Sequence, residues 1–96
     1  MSLRRIVKLS FQPDKCADFE TKFQEIKQLI ENQNGCEEVK LFRSKKDGNV
    51  YFTWSFWESE EALNAYRETP FFDSVWSEVK QWFNARPEAW STEEIT

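Results

Sequence analysis

The chain has 96 residues, a formal net charge of -4 and no histidine. A domain of this length buries only about 60–65% of its unfolded surface, which favours association, while interleaved acidic and basic residues exclude nucleic acid and anionic membrane as partners. Without imidazole there is no imidazole general base and no histidine ligand for haem, and two cysteines, Cys16 and Cys36, make no zinc set, so neither a zinc site nor a histidine-ligated haem is expected.

From Arg4 to Phe11, Val7, Leu9 and Phe11 alternate with Ile6, Lys8 and Ser10, the period of a strand with one face in a core. Pro13 suits a first helical turn, and Cys16, Phe19, Phe23, Ile26 and Ile30 recur at steps of three and four, predicting an amphipathic helix over about 13–33. Asn34-Gly35 is expected to end it, glycine taking the left-handed conformation without steric cost. Cys36 to Ser44 reads as a second strand with Val39 and Leu41 on one face and Lys40 and Phe42 on the other.

The turn tetrad Lys46-Asp47-Gly48-Asn49 leads into Val50-Tyr51-Phe52-Thr53-Trp54-Ser55-Phe56-Trp57, rich in β-branched and aromatic residues and hence a strand entered through a hairpin. With Asp47-Gly48 as its tip, Leu41 falls opposite Trp54, Val39 opposite Phe56, Arg43 opposite Phe52, Phe42 opposite Thr53 and Lys40 opposite Ser55. The expected core face is therefore Val50, Phe52, Trp54 and Phe56, and the opposite face Tyr51, Thr53, Ser55 and Trp57. Ser59 is a good N-cap, and Glu60-Glu61 suit the positive end of a helix carrying Ala62, Leu63 and Tyr66. Thr69-Pro70 interrupts that helix, and another follows over about 70–84 with Phe72, Val75, Trp76, Val79, Trp82 and Phe83 as its apolar positions. Arg86-Pro87 stops it, and residues 88–95 read as a short, partly exposed strand.

The order is α+β, a ferredoxin-like βαββαβ plait with a broken second helix, in one domain spanning residues 1–96. Helices cover one sheet face only. Pairing the other face across a two-fold axis gives a dimeric α/β barrel with Phe42, Thr53, Ser55, Trp57 and Trp90 at the homodimer interface, residues 85–96 forming a strand or arm that reaches the partner. An open sheet with one half-wet face is the alternative.

Phe56-Trp57-Glu58-Ser59-Glu60-Glu61-Ala62-Leu63, followed by Ala65-Tyr66-Arg67 and Thr69-Pro70-Phe71-Phe72, resembles the signature segment of the antibiotic biosynthesis monooxygenase domain family, and Gln12-Pro13-Asp14 and Phe19 fit as well. The likeness spans roughly residues 4–84. It implies the dimeric α/β barrel and, among activities, cofactor-free oxygenation of polycyclic phenols and quinones, quinol oxygenation or haem degradation, many members having no known role. Many members carry histidine where Tyr66 stands and glutamate where Ser55 stands. The haem-degrading branch has tryptophan at the Tyr66 position and its histidine ligand at Trp76, so the resemblance argues against haem degradation here.

The resemblance places the pocket between helices and sheet. With the expected faces this selects Trp54, Trp76, Arg43, Phe72 and Phe83 as substrate-binding residues and Tyr66 as the catalytic donor or acid-base partner. Each aromatic has simple core packing as its competing role, and Arg43 either projects from the sheet edge or stabilises a bound anion. The expected function is a monooxygenase without metal or organic cofactor acting on an aromatic or quinone-like molecule. The rival is a non-catalytic ligand-binding or stress-associated dimer of the same fold. No apolar run approaches a membrane span of about 18 residues and no signal segment is recognised, so a cytoplasmic location with both cysteines as thiols is expected.

Overall fold

The computed structural model describes residues 3–96. Its elements are β1 (Leu3–Ser10), α1 (Cys16–Glu31), β2 (Cys36–Arg43), β3 (Val50–Trp57), α2 (Glu60–Arg67), α3 (Pro70–Val79) and β4 (Glu88–Glu93). The four strands form one antiparallel sheet in the order β2-β3-β1-β4, the ferredoxin-like plait that the element order predicts. The two long helical stretches are shorter as α-helix than their periodicity suggests, because 3-10 turns at Pro13–Lys15 and Lys80–Trp82 take up their ends.

Local chemistry sets the joints. The Ser59 hydroxyl accepts from the Ala62 amide at 3.1 Å and caps α2, and the Thr69 hydroxyl accepts from the Phe72 amide at 3.1 Å and caps α3, with Pro70 in its first turn. The break between the helices therefore has a side-chain cap and a proline at one point. Gly35 does not cap α1, which already ends at Glu31. It sits at φ +80°, accepts from the Glu58 amide at 2.8 Å, and lies so near α2 that a Cβ there would stand 2.5 Å from Ala62 Cβ. Its glycine identity joins the entry to β2 with the corner between β3 and α2.

The hairpin corrects the expected register. The Val50 amide donates to the Asp47 carbonyl at 3.0 Å, and the Ser44 amide donates to the Val50 carbonyl at 2.8 Å, closing a loop over residues 45–49. Gly48 does not take a positive φ, so Asp47-Gly48 is not the two-residue type I′ tip, which needs positive φ at both central positions. An odd loop shifts the pairing by one residue. The observed partners are Val39 with Ser55, Lys40 with Trp54, Leu41 with Thr53, Phe42 with Phe52 and Arg43 with Tyr51. A one-residue slip moves a whole strand's side chains to the other face.

Tyr51, Thr53, Ser55 and Trp57 therefore share the helix-facing side with Val7, Leu9, Val39 and Leu41, and Trp57 is 0% exposed and Tyr51 1% exposed. Val50, Phe52, Trp54 and Phe56, expected in the core, lie on the outer face. Across the sheet the outer rows read Phe42–Phe52–Lys8–Glu88, Lys40–Trp54–Ile6–Trp90 and Glu38–Phe56–Arg4–Thr92. Phe42, Trp54 and Trp90 are 46%, 38% and 45% exposed there, and Arg4 lies over the Phe56 ring at 4.3 Å. β4 pairs with β1 of its own chain, all six of its residues exposed.

Gly35→Ala should destabilise the fold by about 2–4 kcal/mol, combining left-handed strain of about 1–2 kcal/mol with overpacking against Ala62. Gly48→Ala, with nothing within 4 Å of the added Cβ, should stay within about 0.5 kcal/mol of wild type. Urea unfolding of both variants reads the difference.

Candidate functional site

The inner face of the sheet does not meet the helices everywhere. α1 fills one side of the interface with Phe19, Phe23, Ile26 and Ile30, and buried Val75 and Val79 of α3 close another. Between them remains a cavity of about 240 Å³ walled by all three helices, by β1 and β3, and at one end by Pro87-Glu88-Ala89. Most of its wall is apolar, with a few polar groups converging on it, the usual make-up of a small-molecule site.

One wall is aromatic. Trp57 stacks on Tyr66 with centroids 5.0 Å apart and planes at 29°, Tyr66 meets Phe72 edge-on at 5.2 Å, and Phe72 tilts against Trp76 at 5.7 Å. Trp57, Tyr66, Phe72 and Trp76 all line the cavity. The Trp57 indole N–H is buried without a hydrogen-bond partner, alone in this among the described residues. A buried unpaired donor costs on the order of 1–3 kcal/mol, and this one is enclosed by the packing around Trp57, which is 0% exposed. The Tyr66 hydroxyl likewise makes no hydrogen bond to protein among the described residues. Burial, with the Cys36 thiol next in effect, raises its pKa, so it is a phenol and a hydrogen-bond donor at neutral pH.

Thr53 and Ser55 add hydroxyls from β3, and Arg5 and Arg67 add guanidiniums. Among the described residues no group of three His, Cys, Asp or Glu side chains is placed to hold a metal ion. Cys16 and Cys36 are free thiols, and burial pushes Cys36 up to about 11 against the opposing hydrogen bond to Glu38. A thiol so held is a poor nucleophile.

Of the residues selected from sequence, Tyr66, Phe72 and Trp76 come together around the cavity. Phe83 does not line it and packs instead between Phe11, at 5.3 Å, and Trp76, at 6.0 Å. Arg43 projects at the sheet edge, exposed and 3.5 Å from Glu20, whose carboxylate also accepts from the Tyr51 hydroxyl. Trp54 lies on the outer face, edge-on to Phe42 at 5.6 Å. Thr53, Ser55 and Trp57, placed at a dimer interface by the expected register, line the cavity; Phe42 and Trp90 do stand on the outer face.

Sequence reasoning missed Trp57, Arg5 and Arg67 as cavity residues. A signal for the first was present: Tyr51, Thr53, Ser55 and Trp57 are too polar for a dry core but suit a cavity wall. Arg5 shares the alternation of Val7 and Leu9, which places it on the inner face.

A family model described as antibiotic biosynthesis monooxygenase matches residues 2–75. Two solved structures named for a provisional assignment to such enzymes superpose closely. One is from Bordetella bronchiseptica, at TM-score 0.90 and 23% identity over 99% of this chain and 98% of that one. The other, from Caulobacter crescentus, superposes at TM-score 0.91 and 24% identity over 99% and 91%. A conserved protein from Methanosarcina mazei reaches TM-score 0.92 at 13% identity over 99% and 94%. Comparison with curated proteins finds no match. At these identities the structural likeness speaks to the fold.

Folded-state pKa values raised for three acids set an alkaline limit on stability. Cys36 moves from 9.0 to about 11, Tyr51 from 10.0 to about 12 through burial and then its bond to Glu20, and Tyr66 moves upward. The folded state binds these protons more tightly than the unfolded state. Their contribution is thus complete below about pH 9 and declines as pH rises towards the folded values. The urea midpoint should hold steady from pH 7 to 8.5 and fall beyond pH 9, with a smaller fall between pH 9 and 10 in Cys36→Ser.

Proposed function

The chain belongs to the antibiotic biosynthesis monooxygenase family, and from that premise we propose that it is a cytoplasmic homodimer that oxygenates an aromatic or quinone-like molecule held in the cavity, without metal or organic cofactor. The observation that carries this reading is an apolar cavity walled by Trp57, Tyr66, Phe72 and Trp76, with the Tyr66 hydroxyl unpaired among the described residues. A phenol donor beside an apolar slot suits the oxygen of a flat phenol, quinol or anthrone.

The chemistry needs little from the protein. An electron-rich substrate carbanion or phenolate passes electron density to O₂; one oxygen atom replaces two hydrogens at carbon to leave a carbonyl, and the other departs as water. The substrate CH₂ and O₂ thus balance C=O and H₂O with no further reductant. Tyr66 stabilises the oxyanion from which the electrons leave, Phe72 and Trp76 hold the ring, and the apolar wall excludes water. Tyr66 acts as a donor, since its raised pKa keeps the proton on the phenol.

The dimer reading rests on the outer face. Trp54, Trp90 and Phe42, flanked by Ile6 and Phe52, make an exposed apolar surface with Arg4, Lys8 and Lys40 among it. Apposing two such faces, with β4 contributing Trp90, would bury on the order of 800 Å² per partner. The cytoplasmic reading is supported by the two free thiols.

Purified protein given an anthrone or hydroxynaphthoquinol should take up O₂ in proportion to quinone formed. Tyr66→Phe should reduce turnover about tenfold or more at a stability cost of no more than about 1 kcal/mol. Binding without any O₂ uptake would instead favour the non-catalytic ligand-binding alternative, which Tyr66 and Ser55 in place of the family's common histidine and glutamate support. For the assembly, sedimentation at micromolar concentration should give a dimer, and Trp54→Asp should shift it to monomer by burying an unpaired charge.

A further inference from the structure

The cavity is apolar in depth and positively charged at one end. Arg5 lies on the inner face of β1 between Ser55 of β3 and Ser91 of β4, and donates to the Ser91 hydroxyl at 3.0 Å. Arg67, the last residue of α2 and the neighbour of Tyr66, lines the same cavity. Among the described residues, six of the thirteen basic side chains have a carboxylate within 4.0 Å; Arg5 and Arg67 are among the seven that have none, and of those seven only these two line the cavity. Glu88, the acid that lines the cavity, is 3.8 Å from Lys8.

Arg5, partly buried, and Arg67, exposed at the end of α2, thus line one cavity with no carboxylate within 4.0 Å of either. Burial first, and the charge of Arg67 second, lower the Arg5 pKa, the sign expected when like charges meet in a desolvated place. In a chain of net charge -4 with more acids than bases, such a pair is not for want of carboxylates. Planar guanidiniums match a carboxylate in a two-bond fork, a fit that an ammonium does not offer.

We propose that Arg5 and Arg67 form an anion subsite that receives the carboxylate of a planar aromatic acid whose rings lie in the cavity against Trp57 and Tyr66. The inference rests on the cavity being the ligand site and narrows the ligand to an acid. A volume of about 240 Å³ lies just below the range of about 300–1,000 Å³ for drug-sized ligands, which selects one or two fused rings. Inorganic phosphate would satisfy the charges but leave the apolar wall empty.

The test compares 2-naphthoate with 2-naphthamide, equal in shape and different in charge, by quenching of tryptophan fluorescence and by calorimetry. Wild type should bind naphthoate at least tenfold more tightly than naphthamide, with salt weakening the acid and not the amide, and millimolar phosphate should not displace it. In Arg5→Gln and in Arg67→Gln the preference for the acid should fall at least fivefold. Should Arg5→Gln fail to fold, Arg67→Gln, at the exposed end of α2, still decides the matter. Equal affinity for the two compounds, or a preference that survives in Arg67→Gln, overturns the acid subsite and leaves the cavity reading standing. Binding of neither compound overturns both.

Discussion

Tyr51 and Trp57 are seated under the helices at opposite ends of β3, and the architecture depends on that placement. Both are too large to be covered by anything but several elements at once. Tyr51 meets Phe11 at 5.7 Å and Phe19 at 5.4 Å, each edge-on, and its hydroxyl donates to Glu20 of α1. Trp57 lies beneath α2 and stacks on Tyr66. With both ends of β3 committed inward, Thr53 and Ser55 between them must also face inward, by the two-residue period of a strand.

That commitment explains why a cavity exists. Thr53 and Ser55 are short, and a core wall that alternates short hydroxyl side chains with large rings leaves space the opposing helices do not fill. A fully packed interior would have used branched aliphatic residues at these positions. The hydroxyls of Thr53 and Ser55 and the phenol of Tyr66 then border a small apolar volume, where low polarizability strengthens any hydrogen bond they make. The same inward turn sends Phe52, Trp54 and Phe56 outward. The sheet therefore carries chemistry on one face and an exposed aromatic surface on the other, and the two are linked through every residue of a single strand.

Charge follows the same division. Basic residues on the outer face are paired, Lys8 with Glu88 and Lys40 with Glu38, and Arg4 pairs with Glu94 while lying over Phe56. Such exposed pairs contribute little energy, but they cover the charge of cations set among aromatic rings. Arg5 is the next residue along β1 from Arg4 and points to the opposite side, where it has a hydroxyl for company and a second arginine in place of an acid. One step in a strand separates a neutralised surface cation from an unneutralised one at a cavity.

The amino-acid sequence by itself determined the element order, the antiparallel plait and the family, because those follow from local signals: alternation in β1, three-and-four spacing in α1, the cap at Ser59, and the Thr69-Pro70 pair that splits the second helical stretch. It also placed Tyr66, Phe72 and Trp76 on helix faces turned towards the sheet, since helical spacing assigns a helix face without reference to the sheet. What only the tertiary structure decided was the face of β3. Both of its faces are rich in apolar side chains, so alternation there has no preferred sense, and the choice fell to the loop from Ser44 to Val50. An Asp-Gly pair suggests a two-residue tip, yet the chain turns through residues 45–49, and the single residue of difference exchanged Trp54 for Trp57 at the cavity. Loop geometry depends on how β2 and β3 meet β1 and the helices, as the bonds between Asn49 and Phe11 show. A strand's period is local, but the direction in which that period starts is set by its neighbours in space.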